Sequence, residues 1–196
     1  MHSFFDYMAP WPRNEGSLHV YALPDDTARE RLVAASERLE GLPGLPRMPE
    51  PWLHLTVSRL AHFDDIPSAD LSRLGAALDR EVAGLGAFDV QLGTPWAFEH
   101  AVGVAAPSTP QWEELVSAVR RAAVDALGGE LPRPPHAPHT SLAYAIDDVD
   151  SAVVEARLQG LEEIGPNRIS RVHLVSVTVR PERGTFDWLE LANVEL

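Results

Sequence analysis

Two short segments of the chain share one alternating pattern, a histidine followed two residues later by a small hydroxyl residue. The first is His54-Leu55-Thr56-Val57 and the second is His139-Thr140-Ser141-Leu142. Alternate side chains of a β-strand share a face, so each histidine points the same way as its hydroxyl while the residues between point into a core. Two imidazoles and two hydroxyls can together exchange protons near neutral pH and donate hydrogen bonds to phosphate oxygens.

The two segments belong to a longer repeat. A proline-rich loop precedes each of them, residues 43–51 before the first and residues 132–138 before the second. Residues 17–93 and 100–179 both predict the order strand, helix, proline-rich loop, histidine strand, helix and strand. Two such lobes, packed about a pseudo-twofold axis, would bring both histidine faces over one cleft. The predicted fold class is therefore α+β: one bilobal domain over residues 17–196, with an antiparallel or mixed sheet in each lobe, outer helices and a central cleft.

Hydrophobic periodicity gives the expected helices and strands. Besides the histidine segments, strands are predicted over about 17–23, 88–92, 100–105, 171–179 and 186–194. The first helix is predicted to begin with a capping box formed by Thr27 and Glu30. Later helices are predicted over about 68–84, from Thr109 to Gly128 and over about 148–158.

The paired tetrads resemble the signature of the two-histidine (2H) phosphoesterases, which include 2′-5′ RNA ligase-like proteins and cyclic nucleotide phosphodiesterases. That signature is a His-h-Thr/Ser-h tetrad in each lobe, where h is apolar. The first tetrad fits fully, and the second carries Thr140 at an apolar position. The resemblance, which extends in element order over residues 17–194, implies a phosphodiesterase acting on a 2′,3′-cyclic phosphate or a 2′-5′ linkage of a nucleotide or RNA end, with no metal or cofactor.

The residue types support an acid–base mechanism for that reaction. One imidazole acts as a base on water or a ribose hydroxyl, while the other, protonated, neutralises the leaving oxygen. Thr56 and Ser141 are predicted to bind the phosphate oxygens that gain charge in the transition state. Because an ordinary histidine titrates near 6.5, a bell-shaped profile of rate against pH is expected around that value. The sequence leaves open whether His54 or His139 is the base.

Several further residues are candidates for substrate binding because of their place in the predicted strands and loops. They are His19, Tyr21, Trp52, Arg133 and His136. Trp96 and Phe98 lie in the segment between the halves, where either could floor a nucleotide pocket, although packing is the expected role. Tyr144 and Arg59 have the opposite strand parity to the histidines and are predicted to be core residues unless a bulge intervenes.

Two other classes of function fit parts of the pattern. A binding module would hold a nucleotide or RNA end without turning it over. A metal site would need a third ligand beside His54 and His139, such as His19, His100 or His173. The paired hydroxyls are superfluous for a metal, so the metal site ranks lowest.

Charge limits the expected partners. The chain of 196 residues has 16 Lys and Arg against 29 Asp and Glu, a formal charge of −13. Such a field repels polyanions and argues against duplex DNA. The expected ligand is therefore a small nucleotide or an RNA terminus. Cysteine is absent, which excludes disulfides and thiol chemistry.

The first residues form an aromatic segment. Residues 1–16 are predicted to be a tail with Phe4, Phe5, Tyr7 and Trp11, which should dock on a surface groove or on a second subunit. No secretory signal or membrane span is recognisable in the sequence, so a cytoplasmic protein is expected. The oligomeric state is left open.

Overall fold

A computed structural model of the protein describes residues 1–8, 13–62, 66–133 and 137–196. Trp11 and His136 lie outside the described residues. Within these ranges the chain forms five α-helices and nine β-strands. The helices are α1 Phe4–Tyr7, α2 Asp26–Glu37, α3 Ser68–Val82, α4 Pro110–Leu127 and α5 Ser151–Leu158. The strands are β1 Ser17–Ala22, β2 Leu55–His62, β3 Phe88–Leu92, β4 Trp96–Ala97, β5 Ala101–Ala105, β6 His139–Tyr144, β7 Gly165–Ile169, β8 Arg171–Arg180 and β9 Thr185–Glu195.

The strands pair antiparallel, in two groups. One sheet has the order β2-β1-β8-β9. The other group consists of β4-β5-β6 and the pair β3-β7. Gly93 connects the parts of this second group, because its N–H donates to the Ala105 carbonyl at 2.9 Å and its carbonyl accepts from Ile164 N–H at 3.1 Å. The predicted α+β class with antiparallel sheets is confirmed.

The two groups of strands do not follow the two halves of the sequence. Strand β8 belongs to the second half of the predicted repeat, residues 100–179, but it pairs with β1 of the first half. Every residue of β1 is buried, so this strand requires hydrogen-bond partners on both edges, and β2 supplies only one of them. The helices are exchanged as well: α2 contacts β6 and β7, while α4 contacts β2.

Local sequence signals explain one helix start and miss another. The helix α4 begins at Pro110, as predicted, and the Thr109 hydroxyl caps it by accepting a hydrogen bond from Trp112 N–H at 3.2 Å. At α2, the cap is Asp25 and not Thr27: one carboxylate oxygen accepts from Ala28 N–H at 2.8 Å and the other from Arg168 N–H at 2.7 Å. The second bond fixes β7, a strand that was not predicted, to the start of α2.

Two apolar clusters form the interior. The larger runs through both sheets and includes the predicted helix stripes, with Leu32 of α2, Leu74 of α3 and Leu115 of α4 fully buried. The smaller lies on the other face of the first sheet, around Tyr21 and Phe186. Among the described residues, no helix is long and apolar enough to cross a membrane.

Candidate active site

The backbone holds both tetrad histidines in the same way. His54 Nδ1 lies 2.7 Å from the Trp52 carbonyl oxygen, and His139 Nδ1 lies 3.0 Å from the Ala137 carbonyl oxygen. A carbonyl can only accept a hydrogen bond, so each Nδ1 carries a proton and donates it. This fixes the tautomer of both neutral rings and leaves each Nε2 for a ligand.

His139 lies close enough to affect the charge of His54. The pKa of His54 is lowered to about 4, mainly because burial disfavours the imidazolium. The hydrogen bond to Trp52 opposes this shift, whereas the positive charge of His139 adds to it. His54 is therefore neutral across the neutral pH range, with a lone pair on Nε2.

Tyr21 packs against His54, and His19 packs against Tyr21. The Tyr21 ring stacks on the His54 ring, with centroids 3.9 Å apart and planes 12° apart, and only 1% of Tyr21 is exposed. His19 is 6% exposed, and its Nε2 lies 3.2 Å from the Ser17 hydroxyl. Burial raises the pKa of Tyr21 well above its usual range, so its phenol stays neutral. Both were predicted to bind substrate, but the His54 ring covers Tyr21, and His19 is buried beside Tyr21.

Each tetrad ends in a β-bulge, and the two bulges occupy the same position of the repeat. The pairing of β1 with β2 skips Val57, and the pairing of β5 with β6 skips Leu142. An extra residue reverses the parity of the strand beyond it. Arg59 and Tyr144 therefore return to the face that carries the tetrad hydroxyls. Their prediction as core residues held only for strands without a bulge, and the bulges remove that condition.

Tyr144 is the functional candidate that the parity argument missed. Its hydroxyl is hydrogen-bonded to Ser141, and burial raises the pKa of its phenol. Gly103 permits the close pairing at this point, because a Cβ there would lie 2.6 Å from the Thr140 carbonyl oxygen. At the corresponding place in the other tetrad, burial lowers the pKa of Arg59.

A cavity of about 490 Å³ opens beside the second tetrad. Its lining combines His139 and Ser141 with Glu99, His100 and aromatic and small apolar residues, whereas His54 and Thr56 of the first tetrad are not among the lining residues. The lining residues are Phe4, Phe98, Glu99, His100, Ala101, Ala105, Ala137, His139, Ser141 and Tyr144. The volume falls within the usual range for small-molecule sites. The arrangement places a polar end, formed by imidazole and hydroxyl, next to an apolar wall.

The remaining candidates lie apart from this cavity or at its margin. Trp52 is not on the face of the His54 strand, because it ends a 3₁₀ turn over Glu50–Trp52 and packs partly against the core. Trp96 is 51% exposed, and its ring contacts that of Phe98 at a centroid distance of 3.9 Å. Arg133 is exposed where the described chain breaks before residue 137. Of the two aromatic residues in the crossing segment, Phe98 is the one that lines the cavity.

The geometry gives no support to the metal site. Among the described residues, no three His, Asp or Glu side chains come together as metal ligands. His19 is buried behind Tyr21, and His100 Nδ1 lies 3.1 Å from the His2 carbonyl oxygen. His173 Nδ1 lies 2.5 Å from a Glu190 carboxylate oxygen. The third ligands considered from the sequence are thus occupied elsewhere.

Thr140 provides a stability test within the second tetrad. Its side chain is 1% exposed, and its hydroxyl has no hydrogen-bond partner among the described residues. A buried hydroxyl without a partner costs about 1–3 kcal/mol. We expect Thr140→Val to raise the free energy of unfolding by about 1 kcal/mol, which for a chain of this size raises Tm by about 2–4 °C in thermal unfolding. A lower Tm would show that the hydroxyl has a partner in solution.

Comparisons with known proteins agree with this fold. Crystal structures with the same fold include the protein TT0787 of Thermus thermophilus, with a TM-score of 0.73 and 19% identity over 92% of this chain and 97% of that one. The LigT protein of E. coli complexed with 3′-AMP has a TM-score of 0.69 and 16% identity over 93% of this chain and 98% of that one. The same protein complexed with NADP⁺ has a TM-score of 0.68 and 16% identity, again over 93% of this chain and 98% of that one. A search of curated protein sequences finds no significant match.

The α+β fold and the paired histidine tetrads define a two-histidine phosphoesterase. The family model of the 2′-5′ RNA ligase superfamily matches residues 24–180. The chain belongs to this superfamily, which confirms the resemblance found in the sequence.

Proposed function

We propose that the protein is a metal-independent phosphodiesterase that hydrolyses a 2′,3′-cyclic phosphate or a 2′-5′ linkage of a nucleotide or RNA end. His54 is the general base and His139 is the general acid. Thr56 and Ser141 bind the non-bridging oxygens of the phosphate. The chemistry requires no group beyond these four side chains and a water molecule.

One observation carries the proposal: both imidazoles donate their Nδ1 proton to a carbonyl two residues earlier in the chain. Each Nε2 is thereby oriented for proton transfer, and neither ring can turn without losing its hydrogen bond. The roles are assigned from charge. His54, with its pKa near 4, is neutral and can accept a proton, and a protonated His139 favours that neutral state by repulsion.

The reaction then needs two proton transfers. As water attacks phosphorus, its proton passes to His54 Nε2, and the new P–O bond forms. As the bond to the leaving ribose oxygen breaks, His139 Nε2 donates its proton to that oxygen. Negative charge grows on the non-bridging oxygens between these steps, where the Thr56 and Ser141 hydroxyls donate hydrogen bonds.

The substrate class is supported by the cavity and by the relatives. LigT of E. coli has been crystallised with 3′-AMP, with NADP⁺ and with ATP. The cavity of about 490 Å³ is of a size for a small ligand, and the formal charge of −13 disfavours long polyanions. A small nucleotide or a single RNA end satisfies both conditions.

The test is hydrolysis of 2′,3′-cyclic nucleotides in EDTA across pH. We expect turnover without metal, and a profile of kcat/KM whose acidic limb rises through about pH 4, because protonated His54 cannot act as a base. The bell-shaped profile of rate against pH that the sequence predicts around pH 6.5 therefore extends further into the acidic range.

Circular dichroism at each pH separates the titration of the site from acid unfolding. An acidic limb near 6.5 would remove the assignment of His54 as a buried base. Activity abolished by EDTA and restored by zinc would overturn the mechanism. Tight nucleotide binding without hydrolysis of any cyclic phosphate would instead indicate the binding module considered from the sequence.

A further inference from the structure

Part of the cavity wall comes from a segment that the family match does not include. The match covers residues 24–180, whereas Phe4 of α1 lines the cavity together with His139 and Ser141. The aromatic segment was predicted to dock on a groove or on a second subunit. Residues 1–8 lie in a groove of their own chain, beside the polar end of the candidate active site.

Backbone hydrogen bonds fix this segment to the rim of the cavity. Phe4 N–H donates to the Ala145 carbonyl at 2.8 Å, and His2 N–H donates to the Glu99 carbonyl at 3.2 Å. Tyr7 stacks on His100, with ring centroids 4.5 Å apart. Glu99 and His100 themselves line the cavity, so Phe4 is held by the same rim that it completes.

Phe4 also reaches the tetrad through one intervening ring. Its ring centroid lies 4.5 Å from that of Tyr144, whose hydroxyl is hydrogen-bonded to Ser141. A ligand whose phosphate lies at His139 and Ser141 can place its other end against the apolar part of the lining, which includes Phe4 and Phe98. Flat aromatic rings pack well on such a lining, and every nucleobase has a π-face.

We propose that Phe4 is a specificity-determining residue that packs against the base of the substrate. This inference rests on the proposed function for the identity of the reacting group, and it adds that the base is recognised by apolar packing. The enzyme therefore prefers phosphodiesters that carry a nucleobase over equivalent base-free sugars. Because packing on a π-face does not read hydrogen-bond patterns, purines and pyrimidines are both accepted.

Phe5 offers a matched control. It is the same residue type, partly buried like Phe4, and its ring contacts the Tyr144 and Phe186 rings at 6.1 and 5.8 Å. Phe5 is not among the residues that line the cavity. Phe5→Ala therefore removes the same number of atoms from the same aromatic cluster without changing the proposed base contact.

The experiment compares adenosine 2′,3′-cyclic phosphate with methyl riboside 2′,3′-cyclic phosphate, which has the same reacting ring and no base. In Phe4→Ala, KM for the nucleotide is expected to rise about tenfold, with a smaller change in kcat. The kinetic constants for the riboside should stay close to those of the wild type. Phe4→Tyr, which keeps the ring, should restore the preference, and Phe5→Ala should retain it. Equal losses on both substrates, or the same change of preference in Phe5→Ala, would show that Phe4 acts only through stability.

A binding measurement keeps this proposal separate from the proposed reaction. Calorimetry with 3′-AMP and with inorganic phosphate needs no turnover, and Phe4→Ala is expected to weaken 3′-AMP binding about tenfold while phosphate binding is unchanged. If the wild type binds 3′-AMP in this way but hydrolyses no cyclic phosphate, the reaction is wrong and the base contact stands. If the wild type binds 3′-AMP no better than phosphate, the base contact is overturned.

Discussion

His54→Ala and His139→Ala are each expected to lower kcat/KM for a 2′,3′-cyclic nucleotide by about 10²–10⁴-fold, the usual size of a general acid–base contribution. Each substitution removes one Nε2 from a pair that the backbone holds in a single tautomer. The double variant should lose less than the product of the two single losses, because the two rings act as a unit in the same reaction. Steady-state kinetics of the three variants measure this directly.

His173→Ala is the control for these variants. His173 is also a partly buried histidine with a hydrogen-bonded Nδ1, but its partner is the Glu190 carboxylate on β9 and not a backbone carbonyl, and it belongs to neither tetrad. Its variant should retain turnover. Thermal unfolding of His54→Ala is also required, because this substitution removes the ring that stacks on Tyr21. Full activity in either tetrad variant, with the fold intact, would exclude the two-histidine mechanism.

Loss of the tetrad hydroxyls is expected to have the next largest effect. Thr56→Val and Ser141→Ala should each lower kcat by about 10–100-fold and change KM less, because their hydrogen bonds strengthen as charge develops on the phosphate. Ser141→Ala also deprives Tyr144 of its hydrogen-bond partner. Tyr144→Phe removes the same hydrogen bond but keeps the Ser141 hydroxyl. It therefore separates the effect of losing the hydroxyl at the phosphate from the effect of losing the hydrogen bond to Tyr144.

Thr140→Val tests whether this effect is specific to the cleft-facing hydroxyls. Thr140 lies between His139 and Ser141, but its side chain is buried in the core. Its variant should keep wild-type kinetics while it gains stability. If KM rises in Thr56→Val and Ser141→Ala while kcat is unchanged, the hydroxyls hold substrate and transition state equally, and their proposed role in charge stabilisation is wrong.

The sequence predicts the parts of the site that depend on local pattern. The spacing of His54 and Thr56 puts both on one side of their strand, and the buried Leu53, Leu55 and Val57 confirm the predicted core side. It does not predict the bulges, because Val57 and Leu142 have ordinary strand residues around them, and only the pairing with β1 and β5 makes them extra. Arg59 and Tyr144 were misplaced for that reason.

Other features that the sequence did not predict depend on contacts between residues far apart in the chain. Gly165 and Pro166 interrupt the strand pattern of β7, which forms because it pairs with β3. Asp25 is preferred over Thr27 as a helix cap because the same carboxylate also bonds Arg168 N–H. The position of Phe4 likewise depends on Ala145, a partner that no local pattern indicates.

The exchange of strands and helices between the halves determines when each sheet can be completed. During synthesis β1 emerges early, but its second neighbour, β8, begins only at Arg171. Until then one edge of β1 is open, and an open edge of a buried strand invites pairing with other chains. The contact of α2 with β7, which begins only at Gly165, imposes a comparable delay on this helix. The halves therefore reach their native structure together and late, and a chain cut before β8 is expected to aggregate rather than form a lobe.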